Sequence, residues 1–166
     1  MTAAAAPSLE RYRSEFPIFQ GARYLNSCSL GALSRRTRTA LAEYLDQWEH
    51  RGAAAWYDTW LPAVERLRAA YGRVVGAERE TISIHPSVSS ALSVVGEALD
   101  YRTRSRVVTT SLDFPTVAYQ WLAKTERGVE VVVVESPDSI TVPLERLAAA
   151  IDDRTALVAT SHVFFT

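Results

Sequence analysis

The hydrophobic positions change their period partway along the chain. Ala40, Leu41, Tyr44, Leu45 and Trp48 fall three or four apart, as do Leu61, Val64, Leu67, Tyr71 and Val75. That spacing puts each set on one stripe of a helix. Ser34 is placed to cap the first helix, and Gly52 and Gly76 to close the two. Ahead of them, residues 8–15 predict a polar helical lead-in and residues 16–19 an apolar hook. Tyr24-Leu25 predicts a short extended piece that runs into a loop of small residues over 26–31. Residues 53–60, rich in Trp and Tyr, predict a link.

Beyond residue 80 the pattern becomes strand–helix alternation. Strands are predicted at 82–84, 106–110, 129–134 and 156–163, the third a β-branched run. Between them lies a helix over 88–99, with Val88, Ala91, Leu92, Val95, Ala98 and Leu99 at helical spacing. A second covers 115–126, with Asp113 as cap, Pro115 in the permitted first turn and Gly128 as stop. A third starts at Thr141 and Pro143 and carries Leu144, Leu147, Ala148 and Ile151 on one face. Four strands alternating with helices predict an α/β fold. Its sheet is mainly parallel, with helices on both faces, and a helical N-terminal segment precedes it. The expected division is residues 1–76 and 77–166. A parallel sheet whose last strand closes the sequence leaves apolar surface, so the chain is expected to be the front part of a larger domain.

Composition narrows the picture little. The 166 residues are 48% hydrophobic and 22% charged with a formal net charge of -1. Such a balance points to no nucleic-acid partner. No apolar run approaches a membrane span. The single Cys28 excludes an internal disulfide and fits a reducing cytosol, so a cytoplasmic protein is expected. Lys124 is the only lysine.

Candidate chemistry gathers where strands end, because open parallel sheets bind ligands at their carboxyl edge. Ser87, Ser89 and Ser90 surround a helix start whose unpaired N–H groups suit a phosphate, while the plain alternative for Ser87 is an N-cap alone. Phe114 precedes a helix, where its ring covers a planar ligand or staples the core. Ser161 and His162 end the last strand; His162 also reads as a packing residue. No metal site is assigned, since His50 and His85 lack partners at ligand spacing. Cys28 has no His or Asn placed to activate it. The Trp48, Trp56 and Trp60 cluster reads as core or interface. Neither a Gly-x-Gly-x-x-Gly nor a P-loop pattern occurs, against NAD and ATP.

Taken in order, these segments resemble the class V aminotransferase-fold family of pyridoxal 5′-phosphate (PLP) enzymes, closest to its kynureninase branch. The residues that carry the resemblance are Tyr24-Leu25-Asn26 with Ser29-Leu30-Gly31, the spacing of Trp48, Gly52 and Trp56, the stretch 82–92, Phe114-Pro115-Thr116, and Ser161-His162-Val163. The resemblance implies that Ser87 and Val88 hold the cofactor phosphate and that Phe114 stacks on the ring. It implies that Thr116 and Val117 line the pocket and that Ser161 lies beside the ring. It also implies an amino-acid substrate, a homodimer, and a kynureninase-like hydrolytic cleavage. The alternatives are a desulfurase, epimerase or aminotransferase, a fragment that only packs, or a domain for another phosphorylated ligand. Departures exist: Val88 replaces a hydroxyl found in some relatives, and Phe164-Phe165 stands where kynureninases carry a polar or tyrosyl residue. The family's Schiff-base Lys and its pyridine-pairing Asp come later in the family's order, so no catalytic residue is assigned. Lys124 is expected to face solvent. A helix start contributes only about 0.3–2 kcal/mol to holding a phosphate, so binding by this chain alone is expected to be weak.

Overall fold

The computed structural model describes residues 8–27 and 29–164. The readings for the alanine-rich start, Cys28 and Phe165 lie outside the described residues. The chain divides into two compact units, Met1–Ile82 and Ser83–Thr166.

The first unit is helical. A 3-10 turn at Leu9–Glu15 forms the lead-in and another at Pro17–Gln20 the hook. The Tyr24 hydroxyl donates to the Leu30 carbonyl, closing the small-residue loop. Helix α1 spans Arg35–Arg51, capped by the Ser34 hydroxyl, which accepts from the Thr37 N–H at 3.0 Å. Helix α2 spans Leu61–Val75 and ends at Gly76, whose φ of 70° is the left-handed cap that glycine adopts without strain. The link between them is helical throughout: a 3-10 turn at Gly52–Ala54, the fully buried Ala55, and a wide turn at Trp56–Trp60. Ala53, Ala54 and Ala55 are the best of helix formers, which explains why the link does not open into a loop. The wide turn brings Trp56 and Trp60 edge to face at 5.1 Å, and Tyr44 meets Trp60 at 5.0 Å. The α1 stripe forms, yet Leu41, Leu45 and Trp48 remain more than half exposed.

The second unit is α/β, with helix α3 (Val88–Ala98), strand β1 (Arg106–Thr110), helix α4 (Pro115–Leu122), strand β2 (Glu130–Val134), helix α5 (Leu144–Ala149) and strand β3 (Thr155–Val158). The sheet is parallel in the order β2-β1-β3. From β1 the chain steps one strand to β2, then two strands back to β3. Right-handed crossovers in opposite directions place α4 and α5 on opposite faces. Central β1 is the most buried strand, with Val107, Val108 and Thr109 fully covered. On one face Val107, Trp121 and Val129 form the core, with Tyr101, Val131, Leu157 and Ala159 against it.

Two strand readings change. Residues 82–84 are extended but unpaired, and Ile84 is exposed; three residues gain a ladder only where a neighbour offers one. The last strand stops at Val158, five residues short of the expected end. Along the amino edge, Arg106 on β1 pairs with Glu130 on β2 and with Asp152 just before β3, and Arg154 pairs with Glu130. This ionic network staples the three strand starts together. Among the described residues, no helix is long and apolar enough to cross a membrane.

Candidate functional site

The register of α3 against α4 fixes where the Ser-rich helix start lies. Ser93 donates to Gln120 at 2.9 Å, and Glu97 pairs with Lys124; both links join residues 27 apart. A constant offset means that the two helices run in the same direction. Carried back six residues, or nearly two turns, the same offset brings Ser87 level with Phe114. The helices approach closely because Gly96 has no side chain: a Cβ there would sit 2.6 Å from Cζ3 of Trp121.

Ser87 caps α3. Its Oγ accepts from the Ser90 N–H at 3.1 Å, which leaves the hydroxyl proton free to donate outward. The N–H groups of Val88 and Ser89 fall in the first turn, where no intrahelical acceptor exists. Val88 is exposed.

Phe114, not Asp113, is the N-cap residue of α4, and no side chain caps that helix. The correction has a simple cause. Pro115 is the first helical residue, so the cap position immediately before it is Phe114, one residue past the carboxylate. Phe114 is 55% exposed at the carboxyl edge. Thr116 is half-buried and Val117 is buried, its N–H donating to the Phe114 carbonyl at 2.8 Å.

Asp113 instead turns inward and is buried. One carboxylate oxygen accepts from the Thr110 hydroxyl at 2.6 Å, the other from the Ser161 N–H at 2.6 Å. The loop after β3 is thereby fastened to the loop after β1. A second tie runs the other way: the Ser111 hydroxyl accepts from the Ser136 N–H at 2.9 Å, joining the loop after β2. That loop is ordered by Asp138, which accepts from the N–H groups of Thr141 and Ile140 and from two hydroxyls. These donors, the Thr141 N–H foremost, hold its carboxyl far below the ordinary carboxylate range. A cavity of about 370 Å³ opens beneath, lined by Thr110, Val142, Leu144, Leu147, Ser161 and Phe164 among others, with His162 on its wall.

Phe114, Thr116 and Val117 thus share one turn, Ser161 is bound to that turn through Asp113, and Ser87 and Val88 reach the same edge through helix register. Sequence reasoning missed Asp113 in this role, together with Thr110, Ser111 and Ser136. The signal was the proline, which shifts the cap by one position and frees the carboxylate for tertiary use. Lys124 does not face solvent. It is 6% exposed at the far end of α4, its stem beside Gly96 and its ammonium on Glu97. Lys124 and then Arg127 hold the Glu97 carboxyl below its ordinary value. Among the described residues, no cluster of three or more metal-ligating side chains occurs.

No family model matches the chain. Curated relatives do, and three of them illustrate the range. An uncharacterized aminotransferase of Bacillus subtilis, YcbU, is 34% identical over 159 residues, which is 94% of this chain and 41% of the relative. A probable cysteine desulfurase of Methanothermobacter thermautotrophicus is 27% identical over 93% of this chain and 39% of its own length. A kynureninase of Bacillus cereus is 26% identical over 95% of this chain and 39% of its own. Among solved structures, a C-DES mutant with glycine covalently linked to its PLP cofactor superimposes with a TM-score of 0.79. It is 21% identical and covers 92% of this chain and 41% of that one. The relatives it matches are an aminotransferase, a cysteine desulfurase and kynureninases, enzymes of the class V aminotransferase-fold family that its motifs resemble. It spans about two-fifths of the length of the relatives it matches.

Proposed function

We propose that this chain supplies the phosphate-holding and ring-covering side of a PLP site in an enzyme that acts on an amino acid. The observation that carries the reading is the level register of Ser87 with Phe114. It sets a phosphate-competent helix start and an exposed aromatic ring at one edge. The donors fit a flat ring with a phosphate tail. The Ser87 hydroxyl and the N–H groups of Val88 and Ser89 would hold the phosphate, and Phe114 would lie against the ring. Thr116 and Ser161 would offer hydrogen bonds at its rim, while the buried Val117 backs the pocket from inside. When bound, the cofactor supplies an electron sink for bond cleavage at the amino acid. This chain's residues bind and orient it. Residues 77–166 would be the first part of the cofactor-binding domain.

The finer reading is a kynureninase-like hydrolytic cleavage. It is supported by Phe114-Pro115-Thr116 and by kynureninases among the relatives. A desulfurase or aminotransferase reaction is the alternative, supported by the other two relatives. A homodimer and a cytoplasmic setting belong to the same proposal, the first resting on the family resemblance and the second on the lone Cys28.

The test uses pyridoxine 5′-phosphate, which has no aldehyde and cannot react with an amine. The helix-start contribution of about 0.3–2 kcal/mol and the stacking contribution of about 0.5–1.5 kcal/mol keep the expected affinity weak; a dissociation constant near 1 mM corresponds to about 4 kcal/mol. Titration into the ¹⁵N-labelled chain should shift the amides of residues 87–90 and 114, and pyridoxine without phosphate should bind less well. Asp is as good an N-cap as Ser. Ser87→Asp should therefore keep α3 intact while its charge repels the phosphate, and Phe114→Ala should weaken binding several-fold. If Ser87→Asp binds as wild type does, Ser87 is a cap and nothing more, and the reading fails.

A further inference from the structure

Asp113 is a charged side chain, 6% exposed, whose partners among the described residues are two neutral donors and no cation. Burying a carboxylate without a cation is unfavourable, so a fold that only needed a filler there would be served by an apolar residue. Both oxygens are used, and they reach different segments. One grips Thr110 at the end of β1. The other grips the Ser161 N–H, 48 residues further along the chain. Asp113 also adjoins Phe114 in sequence. A single side chain therefore sets the spacing between the turn that presents the ring and the loop that presents Ser161.

We infer that Asp113 is a positioning residue: it holds Ser161 and Phe114 at the separation at which both address one planar ligand. The inference rests on the PLP reading of this edge. It adds that geometry, not charge, is what Asp113 contributes. Asn has the same shape. Its amide oxygen can accept from the Ser161 N–H and its NH₂ can donate to the Thr110 hydroxyl oxygen, so both links can persist without the charge. Ala can form neither.

The experiment is amide NMR on the ¹⁵N-labelled chain titrated with pyridoxine 5′-phosphate. In wild type the ligand should shift the amides of residues 87–90, 114 and 161 together, with one dissociation constant. In Asp113→Ala the free-state Ser161 amide should move and exchange faster. The ligand should still shift residues 87–90, but not 161, with affinity lower by about tenfold, roughly the worth of one good hydrogen bond. Asp113→Asn should restore the joint response. If Asp113→Ala does not fold, Thr110→Val, which removes one of the two partners, should show a smaller change in the same direction. A Ser161 amide that responds equally in Asp113→Ala, or an Asp113→Asn chain that behaves like Asp113→Ala, overturns the inference and leaves the PLP reading standing. A wild-type chain with no response at residues 87–90 or 114 sinks the reading and the inference with it.

Discussion

Replacing Gly96 by Ala is the sharpest test of the packing that brings the site together. On an exposed helix the change would be favourable, since Ala is preferred over Gly by about 1 kcal/mol. Here the new methyl carbon would stand 2.6 Å from Cζ3 and 3.1 Å from Cη2 of Trp121, and 3.1 Å from Cε of Lys124. The lysine contact is with the outer part of a flexible stem and can yield. The indole cannot, because Trp121 is fully buried against Val107 and Val129. Overpacking a core costs about 1–3 kcal/mol. With a rigid ring as the obstacle, the upper part of that range applies. Gly96 lies two residues from the end of α3, where the propensity gain is smaller than in mid-helix. The expected net loss is therefore about 1–2 kcal/mol, which corresponds to a change in unfolding equilibrium of about 5- to 30-fold. Hydrogen exchange at the Val107 and Val108 amides measures this directly, because these residues of the central strand report the most stable part of the unit. The cause is checked by a second substitution. Trp121→Phe removes the offending ring carbons, and also a buried indole N–H that meets no acceptor among the described residues. In the Gly96→Ala background it should recover much of the loss, with a coupling of about 1–2 kcal/mol. Exchange in Gly96→Ala as slow as in wild type would refute the helix approach described here, and with it the register that sets Ser87 level with Phe114.

Two further expectations concern the edges of the sheet. Arg106 is 18% exposed and joins Glu130 to Asp152, whereas Arg154 is 59% exposed and touches Glu130 alone. Arg106→Met should lower the urea midpoint more than Arg154→Met, and added salt should shrink the Arg154 effect first; the reverse order would show that the network is decorative. The Asp138 carboxyl is depressed from an ordinary 3.8, chiefly by the Thr141 N–H. A depressed folded value contributes stability above the unfolded value and loses it as pH falls. The stability gap between wild type and Asp138→Asn should be full at neutral pH and close progressively below 3.8, and a gap unchanged at about pH 3 would contradict the loop description.

What the sequence revealed depended on the range of the interactions involved. Periodicity located α1, α2, α3 and β1 to within a residue or two, because stripes, the Ser34 and Ser87 caps and the Gly76 stop are local chemistry. Features decided by distant partners were misread. Residues 82–84 have strand-like composition but no ladder, and nothing local reports the absence of a neighbour. Lys124 looked solvent-bound until Gly96, 28 residues earlier in the chain, opened a slot for its stem. Asp113 was placed as a helix cap, because the Ser161 N–H that claims it comes from the far side of two crossovers. The sequence offered three segments in a family's order from which a site could be proposed, but not the hydrogen bonds that fasten two of them together.

The position of Lys124 limits what chemistry this chain can carry out. It is the only lysine in the sequence, so any amine-based role at the carboxyl edge would fall to it. From Pro115 to Leu122 the chain advances about 10 Å along the α4 axis, at about 1.5 Å per residue, and Lys124 lies two residues past the end of that helix. The ammonium is then directed away from Phe114, onto Glu97, which Arg127 also holds. Freeing it would break an ion pair, expose the stem packed beside Gly96 and still leave the amine at the wrong end of the helix. The two ends of the α3–α4 pair are therefore chemically distinct. One end carries no basic side chain next to Ser87 or Phe114 and is rich in donors, with N–H groups, hydroxyls and an exposed ring, while its carboxylate, Asp113, is buried between Thr110 and Ser161. The other is closed by paired charges that stabilise the packing. A ligand with a phosphate and a flat ring would suit the first end, where no lysine stands. The one lysine of the sequence therefore lies away from the edge at which the proposed ligand would sit, and its ammonium is already taken by Glu97.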